Sequence, residues 1–251
     1  MALKLASQGV KVVIADLDGV KAKQVAQEII DAKQEAMWIQ CDVTSVDSVN
    51  AAAKAKFGNV SILINNAGVV NGKPITELSI ESIERTFKVN AISHFYTIKA
   101  LLPDMLAMDK GHIVTIASIA GHGGVCKMTD YCASKFAAVG LDESLRNELK
   151  ELGSKVTTTC VCPYYINTGM FAGVTCSYSF LLPMLDEDWV SGRIIKAIKF
   201  NEPMLVMPNI LYLPMFLKGA LPVHIIDKVG KMLGFQKSMS TFKGTRPMQT
   251  G

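Results

Sequence analysis

Residues 112–135 read HIVTIASIAGHGGVCKMTDYCASK. The first six are a continuous apolar, β-branched run, the pattern of a strand covered on both faces. After a loop of small residues the pattern changes at Thr129 to a long helix that runs to Leu152. The same alternation repeats on either side. Residues 10–15 (VKVVIA) predict a strand ending in Asp16, and residues 20–33 a helix with Val20, Val25, Ile29 and Ile30 on one face. Residues 36–40 lead into Cys41-Asp42-Val43 at a strand end, residues 47–57 are helical, and residues 60–64 (VSILI) predict a strand ending at Asn65. Two helical stretches fill 79–107; a strand at 156–162 is stopped by Pro163; a helix at 187–199 precedes a short strand at 204–207. Strands alternating with helices in this way predict an α/β fold, a doubly wound parallel sheet with helices on both faces.

Composition narrows the function. With 251 residues, 49% hydrophobic and 19% charged, the chain is long enough for a large core and is not a disordered, solvating sequence. Its net charge of +4 is too small to argue for nucleic acid as a partner. That excess lies in residues 181–251, which hold nine Lys/Arg against five Asp/Glu. None of the six cysteines forms a C-x-x-C pair, and no Cys/His cluster has zinc spacing, so no metal site is expected. Buried, reduced thiols suit a reducing compartment. No signal peptide and no run of 18 uninterrupted apolar residues is present in the sequence given.

In an open parallel sheet, ligands sit at the carboxyl ends of the strands. Asp16, ending the first strand here, can accept hydrogen bonds from both hydroxyls of an adenosine ribose and would repel a 2′-phosphate, which favours NAD over NADP. The alternative is a helix cap, since Asp18-Gly19 follows. Asp42 can hydrogen-bond an adenine amino group or cap the next helix. Asn65-Asn66-Ala67-Gly68 supplies small residues that let backbone approach a flat ligand. Ser118 ends the strand at 112–117. Tyr131 and Lys135 are one helical turn apart and share a face. An ammonium near the phenol favours the phenolate, so Tyr131 can take an alcohol's proton while Ser118 holds the substrate oxygen. A Y-x-x-x-K pair alone is common in helices; with Ser118 and Asn66-Ala67-Gly68 it is not.

In these motifs the chain resembles the short-chain dehydrogenase/reductase family: N-N-A-G at 65–68, Asn90 within K-V-N-A, I-A-S-I-A-G at 116–121, Y-C-A-S-K at 131–135 and P-Y-Y-I-N-T-G-M at 163–170. The resemblance covers residues 1–215 and implies a Rossmann-type fold. It also implies a catalytic tetrad of Asn90, Ser118, Tyr131 and Lys135, with Ser118 and Tyr131 touching substrate. Asn90 would organise a water that relays the proton. Asp16, Asp42, Val43, Asn66, Ala67, Gly68, Tyr131, Lys135, Pro163, Ile166 and Thr168 are the implied cofactor contacts. Tyr164 stands where the family usually has glycine. T-G-M-F at 168–171, L-L-P at 181–183 and the apolar, proline-broken C-terminus are similar to the membrane-associated retinol and 17β-hydroxysteroid dehydrogenases. Those oxidise or reduce lipophilic alcohols at the endoplasmic reticulum or lipid droplets, and homo-oligomers through the two longest helices are common among them.

The family pattern opens with a strand and a T-G-x-x-x-G-x-G turn whose glycines admit the pyrophosphate. Here the chain starts inside the helix that should follow, at Ala2, Leu3, Leu5 and Ala6. The expectation is a Rossmann-type sheet lacking its first strand and glycine-rich turn, and a chain that binds NAD weakly as written. It is then either an incomplete version of an enzyme or a weakened paralogue that binds lipid or a partner. Residues 1–236 are read as one domain and 237–251 as a flexible tail. Residues 203–236 are apolar and basic: the last 49 residues hold six Lys/Arg against one acid, Asp227, which suits an anionic membrane interface or a lid over an apolar pocket. The resemblance places the protein on the cytoplasmic side of the endoplasmic reticulum or on lipid droplets, or in the cytosol without an N-terminal anchor.

Overall fold

The computed structural model describes residues 1–54, 57–174, 182–232 and 238–244. Strands β1 (Val12–Asp16), β2 (Ala36–Gln40), β3 (Ile62–Asn65), β4 (His112–Ile116), β5 (Thr157–Pro163) and β6 (Met204–Met207) alternate with helices. The helices are α1 (Ala2–Ala6), α2 (Gly19–Asp31), α3 (Val46–Lys54), α4 (Ile80–Phe87), α5 (Ser93–Ala107), α6 (Thr129–Glu151), α7 (Glu187–Lys199), α8 (Tyr212–Ala220) and α9 (Val223–Met232). Every strand pairing is parallel, as the α/β alternation predicts. The described strands form two ribbons, β1–β2 and β3–β4–β5–β6. The open edges of β1 and β3 line one cavity of about 850 Å³.

Burial follows that division. β4 and β5 are covered on both faces, by α5, α6 and α7, and their residues are almost all buried. β1 and β3, beside the cavity, are mostly half-buried, and Ala15 and Asp16 are exposed. Local chemistry sets the helix starts: Asp18 caps α2 through the Lys21 N–H at 3.1 Å, Ser79 caps α4 through Ser82 at 3.2 Å, and Asp186 caps α7 through Trp189 at 2.8 Å. One core lies around β4, β5 and α6, a second between α5, α6 and the bottom of β4, and a third joins α1 and α2 to β1.

The C-terminus adds two features. The prolines of residues 203–235 do more than break helices. Pro222 directly precedes α9, and Pro214 falls in the first turn of α8, where its missing N–H has no helical partner to lose. Within the stretch read as a tail, Ser238–Gly244 lie against the domain. Met239 is buried, the hydroxyls of Ser238 and Tyr165 lie 3.1 Å apart, Thr241 Oγ1 donates to Gly173 O at 2.6 Å, and Lys243 N donates to Ala172 O at 3.0 Å. The physical reason is apolar: Met239 and Phe242 fill space beside Gly72, where a side chain would collide with the Phe242 ring. Cys176, Leu181, Lys237 and residues 245–251 lie outside the described residues.

Met105 is fully buried against Ile113, Leu101 and Leu149. Met105→Ala is expected to lower the unfolding free energy by about 2–5 kcal/mol in urea titration, with the spread set by how far the site collapses.

Candidate active site

α6 is the ruler of the site. Its 23 residues place Tyr131 and Lys135 on the buried face one turn apart, looking at the carboxyl ends of β4 and β5. Lys135 Nζ donates to the Ile116 carbonyl at 2.8 Å and stands 5.7 Å from the Tyr131 ring centroid. Ser118 is the polar neighbour that acts to lower the Tyr131 phenol, and its hydroxyl donates to the Pro163 carbonyl at 3.5 Å. Ser118 Oγ also accepts from Ala120 N at 3.1 Å, which holds the turn after β4. Three of the four expected catalytic residues therefore converge at one strand end.

Asn90 is in the same neighbourhood, at the turn between α4 and α5. It lies in a π-helical turn, Lys88–Ile92, joining α4 to α5, a distortion that re-aims a side chain inside a helix. Its amide donates to Val69 O at 2.9 Å and Ser134 Oγ at 3.0 Å and accepts from Val69 N at 2.8 Å. Those bonds fill the side chain's donors and tie the loop after β3 to α6.

Burial controls the electrostatics. Desolvation pushes the Tyr131 phenol well above its usual range, and the Ser118 hydrogen bond opposes this only partly. The same burial pulls Lys135 down to about 8. In the protein alone, desolvation dominates the phenol, and Ser118 is the neighbour that opposes it. His94, fully buried on α5, is held to about 3 by desolvation first and by Lys135 second.

The expected cofactor contacts divide. Asp16, Asp42, Val43, Asn66, Ala67 and Gly68 all line the 850 Å³ cavity. Asp16 Oδ1 accepts from Asp18 N at 2.9 Å, so it also shapes the turn into α2. Asp42 Oδ1 accepts from the N–H and the hydroxyl of Thr44, both at 2.8 Å, a local turn rather than a helix cap. Gly68 faces Asn90 and Lys135 closely enough that an added side chain would touch both. Pro163 ends β5 beside Met207, Ile166 bridges to Leu185, and Thr168 N donates to Ile166 O at 2.9 Å. The polar end of the cavity, with an acceptor at Asp16 and small residues at Asn66–Gly68, suits the adenosine half of a dinucleotide.

Some residues carry the site without a clear sign in the sequence. Asp130, buried just before Tyr131, accepts from Asn71 Nδ2 at 2.6 Å and Thr86 Oγ1 at 3.0 Å, pinning the start of α6 to α4 and the loop after β3. Its only local signal is an acid in the first turn of a helix, which reads equally as a helix-dipole residue. Phe171 meets Tyr131 edge-on at 6.1 Å and Tyr165 at 5.0 Å. With Tyr164, Met128 and Met239 in the same core, they make an aromatic and thioether wall beside the phenol. On β5, Cys160 and Cys162 face the same side with sulfurs 3.7 Å apart, as their spacing predicts.

Comparison with known proteins agrees with this geometry. The short chain dehydrogenase family matches residues 1–178. Short-chain dehydrogenase/reductase family 16C member 6 of Bos taurus is 41% identical over 247 residues, covering 96% of this chain and 78% of that protein. Epidermal retinol dehydrogenase 2 of Homo sapiens is 44% identical over 208 residues, covering 80% and 67%. A solved short chain dehydrogenase/reductase from Burkholderia phymatum, in complex with NAD, superposes with a TM-score of 0.77 at 26% identity, over 86% of each chain. The chain belongs to the short-chain dehydrogenase/reductase family of NAD(P)-linked oxidoreductases.

Two outcomes follow from the packing. A methyl at Gly121 would sit 2.7 Å from the Lys135 carbonyl oxygen and 2.8 Å from a Val139 methyl. Gly121→Ala should therefore force α6 outward and destabilise the chain by about 1–3 kcal/mol in urea unfolding. For Lys135, the folded value near 8 lies below the ordinary 10.5. Between those values the unfolded chain holds a proton the folded one has released, so stability rises with pH. The unfolding free energy of wild type relative to Lys135→Met should climb from pH 8 to 10; a flat difference would show that the burial penalty is absent.

Proposed function

We propose that the protein interconverts a lipophilic alcohol, retinoid or steroid in class, and its carbonyl, with NAD preferred over NADP. The convergence of Ser118, Tyr131 and Lys135 beside an aromatic wall carries the reading. Tyr131 moves the proton at its Oη, Ser118 holds the substrate oxygen, and Lys135 supplies positive charge next to the phenol. Asp16, Asp42, Val43, Asn66–Gly68, Pro163, Ile166 and Thr168 hold the dinucleotide, with Tyr131 and Lys135 at its reacting end. When bound, the dinucleotide supplies the hydride acceptor or donor and, oxidised, a positive ring that helps bring the phenol down toward neutrality. Phe171, Tyr165, Met128 and Met239 favour an apolar substrate body, and the retinol dehydrogenases among the relatives act on one by name.

The surface supports a place at a lipid interface. Leu213 and Phe216 on α8 and Val223 and Ile225 on α9 are exposed, with Lys228 and Lys231 on the same helix pair. Among the described residues no helix is long and apolar enough to cross a membrane. The reading is peripheral attachment at the cytoplasmic face of the endoplasmic reticulum or a lipid droplet. Exposed Phe95 on α5 and Phe136 on α6 favour a homo-oligomer through those two helices.

Thermal unfolding against rising NAD and NADP tests the cofactor half: NAD should raise the midpoint saturably and more than NADP. Tyr131→Phe tests the chemistry. It should keep the NAD shift and lose retinol oxidation by roughly 10²-fold or more, the range expected of a lost general acid–base. Unchanged turnover, or no turnover in either protein, would favour a non-catalytic lipid- or partner-binding role instead.

A further inference from the structure

Two thiols stand beside the hydride chemistry without taking part in it. Cys160 and Cys162 are alternate residues of β5, so they share one face, and both are buried there. Their sulfurs are in contact at 3.7 Å. The Cys162 sulfur also lies 3.4 Å from His122 Nε2. His122 ends the short turn Ile119–Gly121 that Ser118 begins. It is half-buried, and Gly123 and Gly124, which follow it, have open space where a side chain would stand. The imidazole therefore links a buried thiol pair to the surface.

The same turn couples the pair to Ser118. The Ser118 hydroxyl donates to the Pro163 carbonyl at 3.5 Å, and Pro163 directly follows Cys162. One end of the turn thus meets Cys162 and the other meets its chain neighbour, so a shift of Cys162 reaches Ser118 within one residue. The two thiols are not equivalent. A hydrogen bond from the Cys160 thiol holds Cys162 below the usual thiol range, with His122 adding to it against burial. That same bond, with desolvation, pushes Cys160 up. Cys162 therefore has the thiolate character of an attacking sulfur, and Cys160 keeps its proton.

We propose that Cys160 and Cys162 form a redox-active dithiol that hydrogen peroxide closes to a disulfide, with Cys162 attacking, His122 accepting its proton, and Ser118 displaced as a result. The Cys162 thiol passes its proton to His122 Nε2, and its sulfur attacks one peroxide oxygen. An S–O bond forms, the O–O bond breaks, and the departing hydroxide takes the proton from His122 and leaves as water. The Cys160 sulfur then attacks the sulfenic sulfur. The S–S bond forms, the S–O bond breaks, and the Cys160 proton leaves with the hydroxyl as a second water. Two thiols lose two electrons in all, and one peroxide becomes two waters. The strand permits the bond. Alternate residues stand about 6.6 Å apart at Cα, within the roughly 4.4–6.8 Å that disulfides span. From 3.7 Å the sulfurs need to close by about 1.7 Å. A metal ion is the poorer occupant, since no group of three or more metal-binding side chains is assembled among the described residues. This inference does not rest on the cofactor or substrate reading, because oxidation is read by mass.

The test uses the full chain carrying Cys176→Ser, so that the tryptic peptide 156–193 holds these two cysteines alone. Folded protein is treated with hydrogen peroxide, quenched with an alkylating reagent and digested. Peptide 156–193 is expected unalkylated and two hydrogens lighter, restored by dithiothreitol, and formed before the exposed Cys126 is oxidised. In Cys160→Ala, dimedone should instead trap Cys162 as its sulfenic acid. His122→Phe should slow closure by roughly 10²-fold with circular dichroism unchanged. Oxidation of Cys126 alone, or closure only at urea concentrations that unfold the chain, would overturn the proposal, because exposure or unfolding would then set the reactivity. An unchanged rate in His122→Phe would overturn the role of His122, and dimedone absent from Cys162 would overturn its role as the attacking sulfur. Amide hydrogen exchange over residues 116–122 should rise on closure; unchanged exchange would overturn the link to Ser118. If Cys160→Ala fails to fold, the two-hydrogen shift and its urea dependence still decide.

Discussion

Every buried main-chain N–H and C=O must find a partner, and a parallel sheet meets that demand only sideways, strand to strand. In this protein the demand is met across β3–β4–β5–β6 and across β1–β2, and the edges between them define what is open. Where the ladder is continuous, the strands are buried, and Ser118, Tyr131 and Lys135 are packed beside them. Along β1 and β3, whose open edges line the cavity, the strands are mostly half-buried. Position in the ladder therefore ranks the regions by rigidity before any side-chain contact is considered.

The active residues draw on the continuous part. Lys135 is tethered to β4 through the Ile116 carbonyl, Ser118 is fixed by the turn that leaves β4, and Asn90 and Asp130 fasten α5, α4 and the loop after β3 to the first turns of α6. None of these tethers touches a reacting atom, yet each sets where the phenol and ammonium stand. Gly121 shows how tight that setting is: α6 approaches the turn after β4 so closely that even one methyl has no room.

Much of this is legible along the chain because it rests on local patterns. Continuous apolar runs marked β1, β3, β4 and β5 within a residue or two. The i, i+4 spacing put Tyr131 and Lys135 on one face, and motif order brought Ser118 to them. Other features depend on partners far away in sequence. Asp130 looks like an ordinary first-turn acid until Thr86 and Asn71, 44 and 59 residues earlier, are seen to meet it. Asn90 sits in a π-helical turn that no 3.6-residue period announces. Met239 and Phe242 follow a polar, glycine-bearing stretch that resembles a tail, and only the space beside Gly72 explains why they return. The C-terminal prolines accompany two short helices, α8 and α9, rather than one long one, as the proline-broken sequence predicts. The same missing N–H that breaks a helix interior is harmless in its first turn, and spacing alone does not say which is which.

One tension remains at the centre of the site. Burial raises the phenol of Tyr131 and lowers the ammonium of Lys135, so the environment that aligns the pair also pushes both toward neutrality. A phenol raised in this way is a poor proton acceptor. The energy for ionising the phenol must therefore come from charge that arrives with the ligands rather than from the empty protein. The burial that opposes ionisation also makes each added charge more effective, since Coulomb interactions strengthen as water is excluded. That is a reason for a short-chain dehydrogenase to bury its tyrosine and lysine so deeply: the low dielectric that silences the pair is the medium in which a bound cation most strongly activates it.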